Sequence, residues 1–124
     1  MGANTILWIE PVEVALHISA AATGNGEIVE LDGKYATAVV QASGNMGVIT
    51  FKGTIDGTNW INLNCINLTT GAAAATAAAA GIFSVAVLGL KKFKGEITTH
   101  AGGTNRISAK AMFVPVANHT VATV

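Results

Sequence analysis

Charge is scarce in this sequence. Seven Lys and Arg and seven Asp and Glu make up 11% of 124 residues, under half the ~25% of an average soluble domain. The two signs cancel. Nucleic acid is a poor candidate partner, because phosphate binding needs clustered cations. A neutral, charge-poor surface also gives little steering and little colloidal repulsion. Such a composition suits a chain that hides surface against other subunits. Cysteine is almost absent: Cys65 stands alone, so no intrachain disulfide can form. There is no cationic region followed by a long apolar run at the N-terminus, so no secretory signal is expected. The longest uncharged small-residue stretch, residues 71–81, is far short of a bilayer span, so no membrane partner is expected.

Hydrophobic residues are plentiful at 51%. At this length one domain is expected, burying about two-thirds of its extended-chain surface. The apolar residues recur with a period of two. The clearest case is residues 48–66, VITFKGTIDGTNWINLNCI. Two alternating runs flank Asp56-Gly57-Thr58-Asn59, which reads as a hairpin turn. Ile49, Phe51, Ile61, Leu63 and Cys65 fall on one face, the expected core. Trp60 falls with Asn62 and Asn64 on the other. A large aromatic on an outer face should cover something.

The rest of the chain reads in the same way. Residues 1–11 form an apolar, β-prone arm around Ile6, Leu7, Trp8 and Ile9, closed by Pro11; it either adds to the domain's own sheet or docks on a neighbour. Residues 12–19 alternate, with Val12, Val14, Leu16 and Ile18 inward and Glu13, Ala15, His17 and Ser19 outward. Residues 27–31 and 35–42 are further strands. Phe83, Val85 and Val87 share an inward face, as do Phe93, Gly95 and Ile97, and Ile107, Ala109, Ala111 and Phe113. Lys92, Lys94, Glu96 and Thr98 point outward. The alanine run GAAAATAAAAG, residues 71–81, reads as a loop entering a small-residue strand, with a short helix as the alternative. The tail, residues 116–124, is apolar and β-prone around Val121 and Val124. About eight strands and no amphipathic helix give an all-β antiparallel β-sandwich, jelly-roll-like, with short terminal arms. The organisation expected is an arm at 1–11, a sandwich domain at 12–115 and a tail at 116–124.

No catalytic constellation emerges. His17, His100 and His119 are far apart and lack ligand-spaced partners, so no metal or other cofactor is expected. Cys65 lies on a core face and reads as a small buried side chain. The serines lack a nucleophile-elbow context, and the glycines form no phosphate-binding fingerprint. The group Asp56, Thr58, Asn59 and Trp60 at a loop tip has the aromatic-plus-polar chemistry of a sugar site; its structural alternative is a simple turn beside a packed tryptophan.

The succession of GVITFKGTIDGTNWINL, an Ala/Thr-rich connector, AGIFSVAVLGLKKFKGEIT, a Gly turn and RISAKAMFV resembles small β-sandwich structural proteins and domains encoded by tailed bacteriophages. The resemblance covers roughly residues 36–114. It implies a non-enzymatic virion protein. A single domain with two arms suits a capsid decoration (cement) protein on the outer surface of the head. Its expected partners are the major capsid protein and further copies of itself, a trimer being favoured. Ile6, Leu7, Trp8, Ile9, Val121 and Val124 are the candidate interface residues. The alternatives are a carbohydrate- or receptor-binding fibre module that uses Asp56, Asn59 and Trp60, and a tail or baseplate component.

Overall fold

The computed structural model describes residues 3–7, 10–45, 47–116 and 119–123. Every regular element among them is a strand. Ten strands build two antiparallel sheets. In chain order they are β2 (Val12–Ala20), β3 (Val29–Glu30), β4 (Tyr35–Gly44), β5 (Val48–Thr54), β6 (Ile61–Leu63), β7 (Cys65–Asn67), β8 (Ala73–Ala74), β9 (Gly81–Ala86), β10 (Lys92–Thr99) and β11 (Ile107–Pro115). The larger sheet runs β2-β11-β4-β9-β7-β8 and the smaller runs β3-β10-β5-β6. The architecture is the expected antiparallel β-sandwich. Two terminal segments, β1 (Ala3–Leu7) and β12 (His119–Thr123), pair with each other in a separate two-stranded ribbon. The arms thus find one another, and neither extends a sheet of the sandwich.

The core lies between the two sheets, as period-2 alternation requires. Phe83, Val85 and Val87 from β9 and its exit are buried, with Phe93 and Ile97 from β10 and Ile107, Ala109, Ala111 and Phe113 from β11. Two phenylalanines of the smaller sheet face glycines across the ladder: Phe93 opposite Gly53 and Phe51 opposite Gly95. Gly95 leaves room beside the Phe51 ring, and Gly53 leaves room for the Leu90 and Leu63 side chains. A Cβ on Gly95 would already sit 3.3 Å from both Ile49 and Leu16 side-chain atoms.

Two expectations need correction. In β2, Ile18 is 79% exposed while His17 is buried at 8%. The ladder to β11 slips twice here, Ala109 pairing with His17 but Lys110 with Ala15, and Ile107 with Ala20. Each extra residue in β2 reverses the in–out order. Leu16 and His17 therefore both point inward. Next, the strand expected over residues 60–66 is two strands. β6 pairs with β5 in the smaller sheet, and after Asn64 the chain joins the larger sheet as β7. Cys65 is buried as expected, but Ile61 is 66% exposed. It sits on an edge strand where the facing edge consists of the short β7 and β8. The alanine run is loop and short strand, as its favoured reading expects, and contains no helix. It supplies β8, and then Ala77, whose N–H and C=O bond Ile49 at 2.9 Å each. Ala77 is fully buried, so a small side chain suits a backbone crossing between the sheets.

Candidate functional site

The hairpin loop, residues 55–60, is built around Asp56. Its Oδ1 accepts from the backbone N–H groups of Thr58 and Asn59, both at 2.7 Å, and from the Thr54 hydroxyl at 2.9 Å. Oδ2 accepts from the Asn59 side-chain amide at 2.6 Å. The Gly57 N–H donates to Thr54 Oγ1 at 3.0 Å, and Gly57 takes a positive φ of 82°. Aspartate favours this role because its short carboxylate reaches N–H groups two and three residues ahead. The Asn59 backbone N–H, then its side-chain amide, the Thr58 N–H and the Thr54 hydroxyl hold the Asp56 carboxyl well below the ordinary range. Oδ1 is saturated, and Asn59 spends its amide on the same carboxylate.

This arrangement has a pH signature. A carboxyl depressed in the folded state adds stability above its unfolded value near 4, and that contribution fades as pH falls below it toward the folded value. Asp56→Ala should therefore melt below wild type at pH 7 and pH 5, and the gap should narrow progressively in melts at pH 3 and pH 2. Equal melting temperatures at pH 7 would show that the loop does not depend on the carboxylate.

Trp60 lies outside the core, on the face its alternation with Ile61 predicts. It is half-buried. Lys94 Nζ lies 4.4 Å from the centroid of its ring. Lys94 points outward from β10 yet is only 8% exposed. Its ammonium also donates to Asn25 Oδ1 at 3.1 Å and lies 3.9 Å from Glu96 Oε1. A buried cation needs such partners, and the ring adds about 0.5–2 kcal/mol of attraction. Glu96 also accepts from Lys52 at 3.1 Å, and Lys92 pairs Glu30 at 3.2 Å. The outer face of the smaller sheet thus carries two ion-paired groups, and Trp60 covers Lys94 in one of them. Sequence reasoning placed Lys94 in solvent; the signal for its burial was the unexplained tryptophan on the same face.

The apolar surface near this loop is larger. Lys91 N–H donates to the Thr54 carbonyl at 2.8 Å, Leu31 N–H to that of Lys91 at 2.7 Å, and Val116 N–H to that of Lys34 at 3.0 Å. Loops 31–34, 55–60 and 87–91 therefore meet at one end of the sandwich. That end exposes Ile55 (74%), Ile61 (66%) and Leu88 (66%). A groove of about 500 Å³ runs beside them, lined by Gly53, Thr54, Ile55, Ile61, Leu63 and Leu90, with Asp56 and Asn59 at its rim. Both arms leave from this end, since Val12 pairs with Phe113 and the chain passes through Val116. In the ribbon, Ile6 and Leu7 pair with Thr120 and His119, and Thr5 pairs with Val121. Trp8, Ile9 and Val124 lie outside the described residues.

The other chemical candidates are occupied locally. His17 Nε2–H donates to the Gly95 carbonyl at 2.6 Å. The Gly102 N–H donates to His100 Nδ1 at 2.9 Å, so His100 Nε2–H donates to the Ala20 carbonyl at 3.3 Å. Burial pushes the Cys65 thiol up, and its Sγ–H points to the Ala74 carbonyl at 3.6 Å. Among the described residues, no group of three or more His, Cys, Asp and Glu could hold a metal ion.

No family model matches the chain and no curated protein matches it. Two solved structures share its fold. The SPBc2 prophage-derived protein YomS superposes with a TM-score of 0.73 at 17% identity, over 84% of this chain and 92% of its own. The PBSX exported protein XepA superposes with a TM-score of 0.77 at 18% identity over 84% of this chain; the match spans 37% of XepA. At such identities the likeness concerns the fold.

Proposed function

We propose that this chain is a non-enzymatic structural protein of a bacteriophage particle, a capsid decoration (cement) protein that grips the major capsid protein lattice and stabilises the head. The observation that carries this reading is the end where Ile55, Ile61 and Leu88 are exposed beside an apolar groove and where both arms emerge. The shared fold of two phage-derived proteins supports the setting. The mechanism is mechanical. Each large aliphatic side chain buried on a neighbour adds about 1.5–3 kcal/mol before ordering costs. Many identical copies then resist expansion and rupture of the shell.

The test is occupancy on purified capsids. Removal of residues 1–10, and separately the pair Ile55→Asp and Leu88→Asp, should each lower affinity at least tenfold while the melting temperature stays near wild type. Undiminished binding by both variants would remove this end from the account. A second reading, a carbohydrate-binding fibre module, rests on the uncovered part of Trp60 and the remaining lone pair of Asp56 Oδ2. A glycan array with wild type and Trp60→Ala decides it. A tail or baseplate position would use the same apolar end, and a map of the intact particle distinguishes it from the head.

A further inference from the structure

The two outer faces of the sandwich differ sharply in chemistry. On the smaller sheet, Lys52, Lys94 and Glu96 form one ion-paired group and Lys92 and Glu30 another. On the larger sheet, the register places Met112, Val39, Ser84 and Ile66 in one continuous row across β11, β4, β9 and β7. Lys110, Gln41 and Ile82 form the next row, and Val114, Thr37 and Ala86 the row on the other side. Met112, Val114, Ile82 and Ile66 are each 40–46% exposed. Among the described residues of its strands, this face carries two charges, Lys110 and Glu13, 3.6 Å apart; Arg106, just before β11, folds back onto the Gly103 and Asn105 carbonyls. An ordinary solvent-facing antiparallel sheet is polar outward, and this one is not.

We infer that the outer face of the larger sheet is an interface between copies of this chain. Three features select a second copy as the occupant. The first is charge. The face carries one cation and one anion, so it is neutral and self-complementary, as a contact that uses the same patch twice requires. It offers nothing to a strongly acidic or basic partner. The second is area. The five strands β2, β11, β4, β9 and β7, spaced about 4.8 Å apart with a rise of about 3.3 Å per residue, present roughly 600 Å² per copy. Two copies then bury about 1,200 Å², the lower bound for a specific, stable interface. The third is relief. A depression of about 260 Å³ lined by Glu13, Val39, Gln41, Ile82, Lys110 and Met112 lies beside a second of about 240 Å³ next to Ser43 and Ser108. The projecting Met112 and Lys110 of one copy can seat in the hollows of the other, as in face-to-face sheet packing. The face borders the loop-and-arm end at its Val114, Thr37 and Ala86 row, but Ile55, Ile61 and Leu88 lie outside it and stay free to bind elsewhere.

Sedimentation of the full chain over a wide concentration range tests the inference. Wild type should sediment as a multiple of 12.6 kDa. Met112→Glu and Ile82→Lys should each shift it to the 12.6 kDa species, with a self-association constant at least tenfold weaker. The exposed Thr98→Lys on the smaller sheet should leave the mass unchanged. Lys110→Glu gathers four carboxylates across the contact and should weaken it; Lys110→Glu with Glu13→Lys should restore it. Circular dichroism confirms that each variant is folded. A monomeric wild type, or an oligomer that survives both Met112→Glu and Ile82→Lys, overturns the inference.

Discussion

Phe93→Ala is expected to lower the unfolding free energy by about 3–5 kcal/mol, the range for emptying a buried phenylalanine site. Phe93 is fully buried in β10 and joins the two sheets. Its ring stacks on Phe51 of the same sheet, with centroids 6.0 Å apart and planes at 15°. It meets Phe113 of the opposite sheet edge-on, at 5.6 Å and 78°, and Phe113 in turn contacts Tyr35 at 6.0 Å. Each such pair adds about 0.5–1.5 kcal/mol beyond area burial. The site cannot collapse easily, because its neighbours Phe51 and Phe113 are themselves buried and fixed on strands of the two sheets. Domains of this kind are stable by only about 5–15 kcal/mol. The melting temperature should therefore drop by roughly 10–20 °C. Phe93→Leu, which keeps most of the volume, should lose less than half as much. Urea melts of the three proteins settle the matter. A loss under about 1 kcal/mol for Phe93→Ala would show that the sheets are held elsewhere, since a core truncation of this kind has no other route to neutrality.

Alternation in the sequence identified most of this core because β9, β10 and β11 run regularly through it. Phe83, Val85, Val87, Phe93, Ile97 and Phe113 all lie where a period of two puts them. Period-2 reasoning failed where the ladder changes phase or partner. Nothing local marks the two slips in β2, because Ile18 and His17 are both acceptable on either face of a strand until β11 fixes the register. Nothing marks the change of sheet at Asn64, since β6 and β7 continue one alternating run. The alanine run is silent for a related reason: a side chain with one carbon gives no contrast between faces, and Ala77 is fixed by its backbone bonds to Ile49. The arms show the same limit at long range. Their β-prone composition is plain, but their pairing with each other depends on where the sandwich brings their ends together.

The candidate site was legible in part. Trp60 on the outer face and the Asp56 turn follow from residue type and spacing. The cover that Trp60 forms over Lys94 depends on loop 20–28, which brings Asn25 beside that lysine. The apolar outer face of the larger sheet was on view in the sequence as Val39, Ile82 and Met112. Asking which face of each strand is buried leaves such residues aside once an inward set has been found.

His17→Ala is expected to remove about 1–3 kcal/mol, the cost of leaving a buried carbonyl without its donor. The carbonyl is that of Gly95. Along β10, Phe93, Gly95 and Ile97 turn their backbone groups toward the same edge. Phe93 pairs there with Val29, and Ile97 exchanges two hydrogen bonds with Gly24, at 2.8 and 3.1 Å. Between them Gly95 has no strand partner on that edge, and His17 reaches across from the larger sheet to fill the place at 2.6 Å. The histidine also seats loop 20–28. A Cβ on Gly26 would lie 2.5 Å from His17 Cε1 and 2.3 Å from the Leu16 carbonyl oxygen, so the loop rests directly on the ring with a glycine at positive φ. Two replacements separate the bond from the packing. His17→Leu keeps bulk and loses the donor, so it should remain destabilised. His17→Gln keeps a donor and should recover part of the loss. The loss should also be local. The amides of Gly24 and Glu27, which donate to Ile97 and Leu16, should exchange with solvent faster in His17→Ala, while those in the middle of β11 keep the protection that global stability allows. If His17→Leu matches wild type in both melting and exchange, shape alone holds the loop and the hydrogen bond contributes nothing. If it does not, the residue that alternation placed in solvent is a polar tie between the two sheets, and the slips in β2 bring it there.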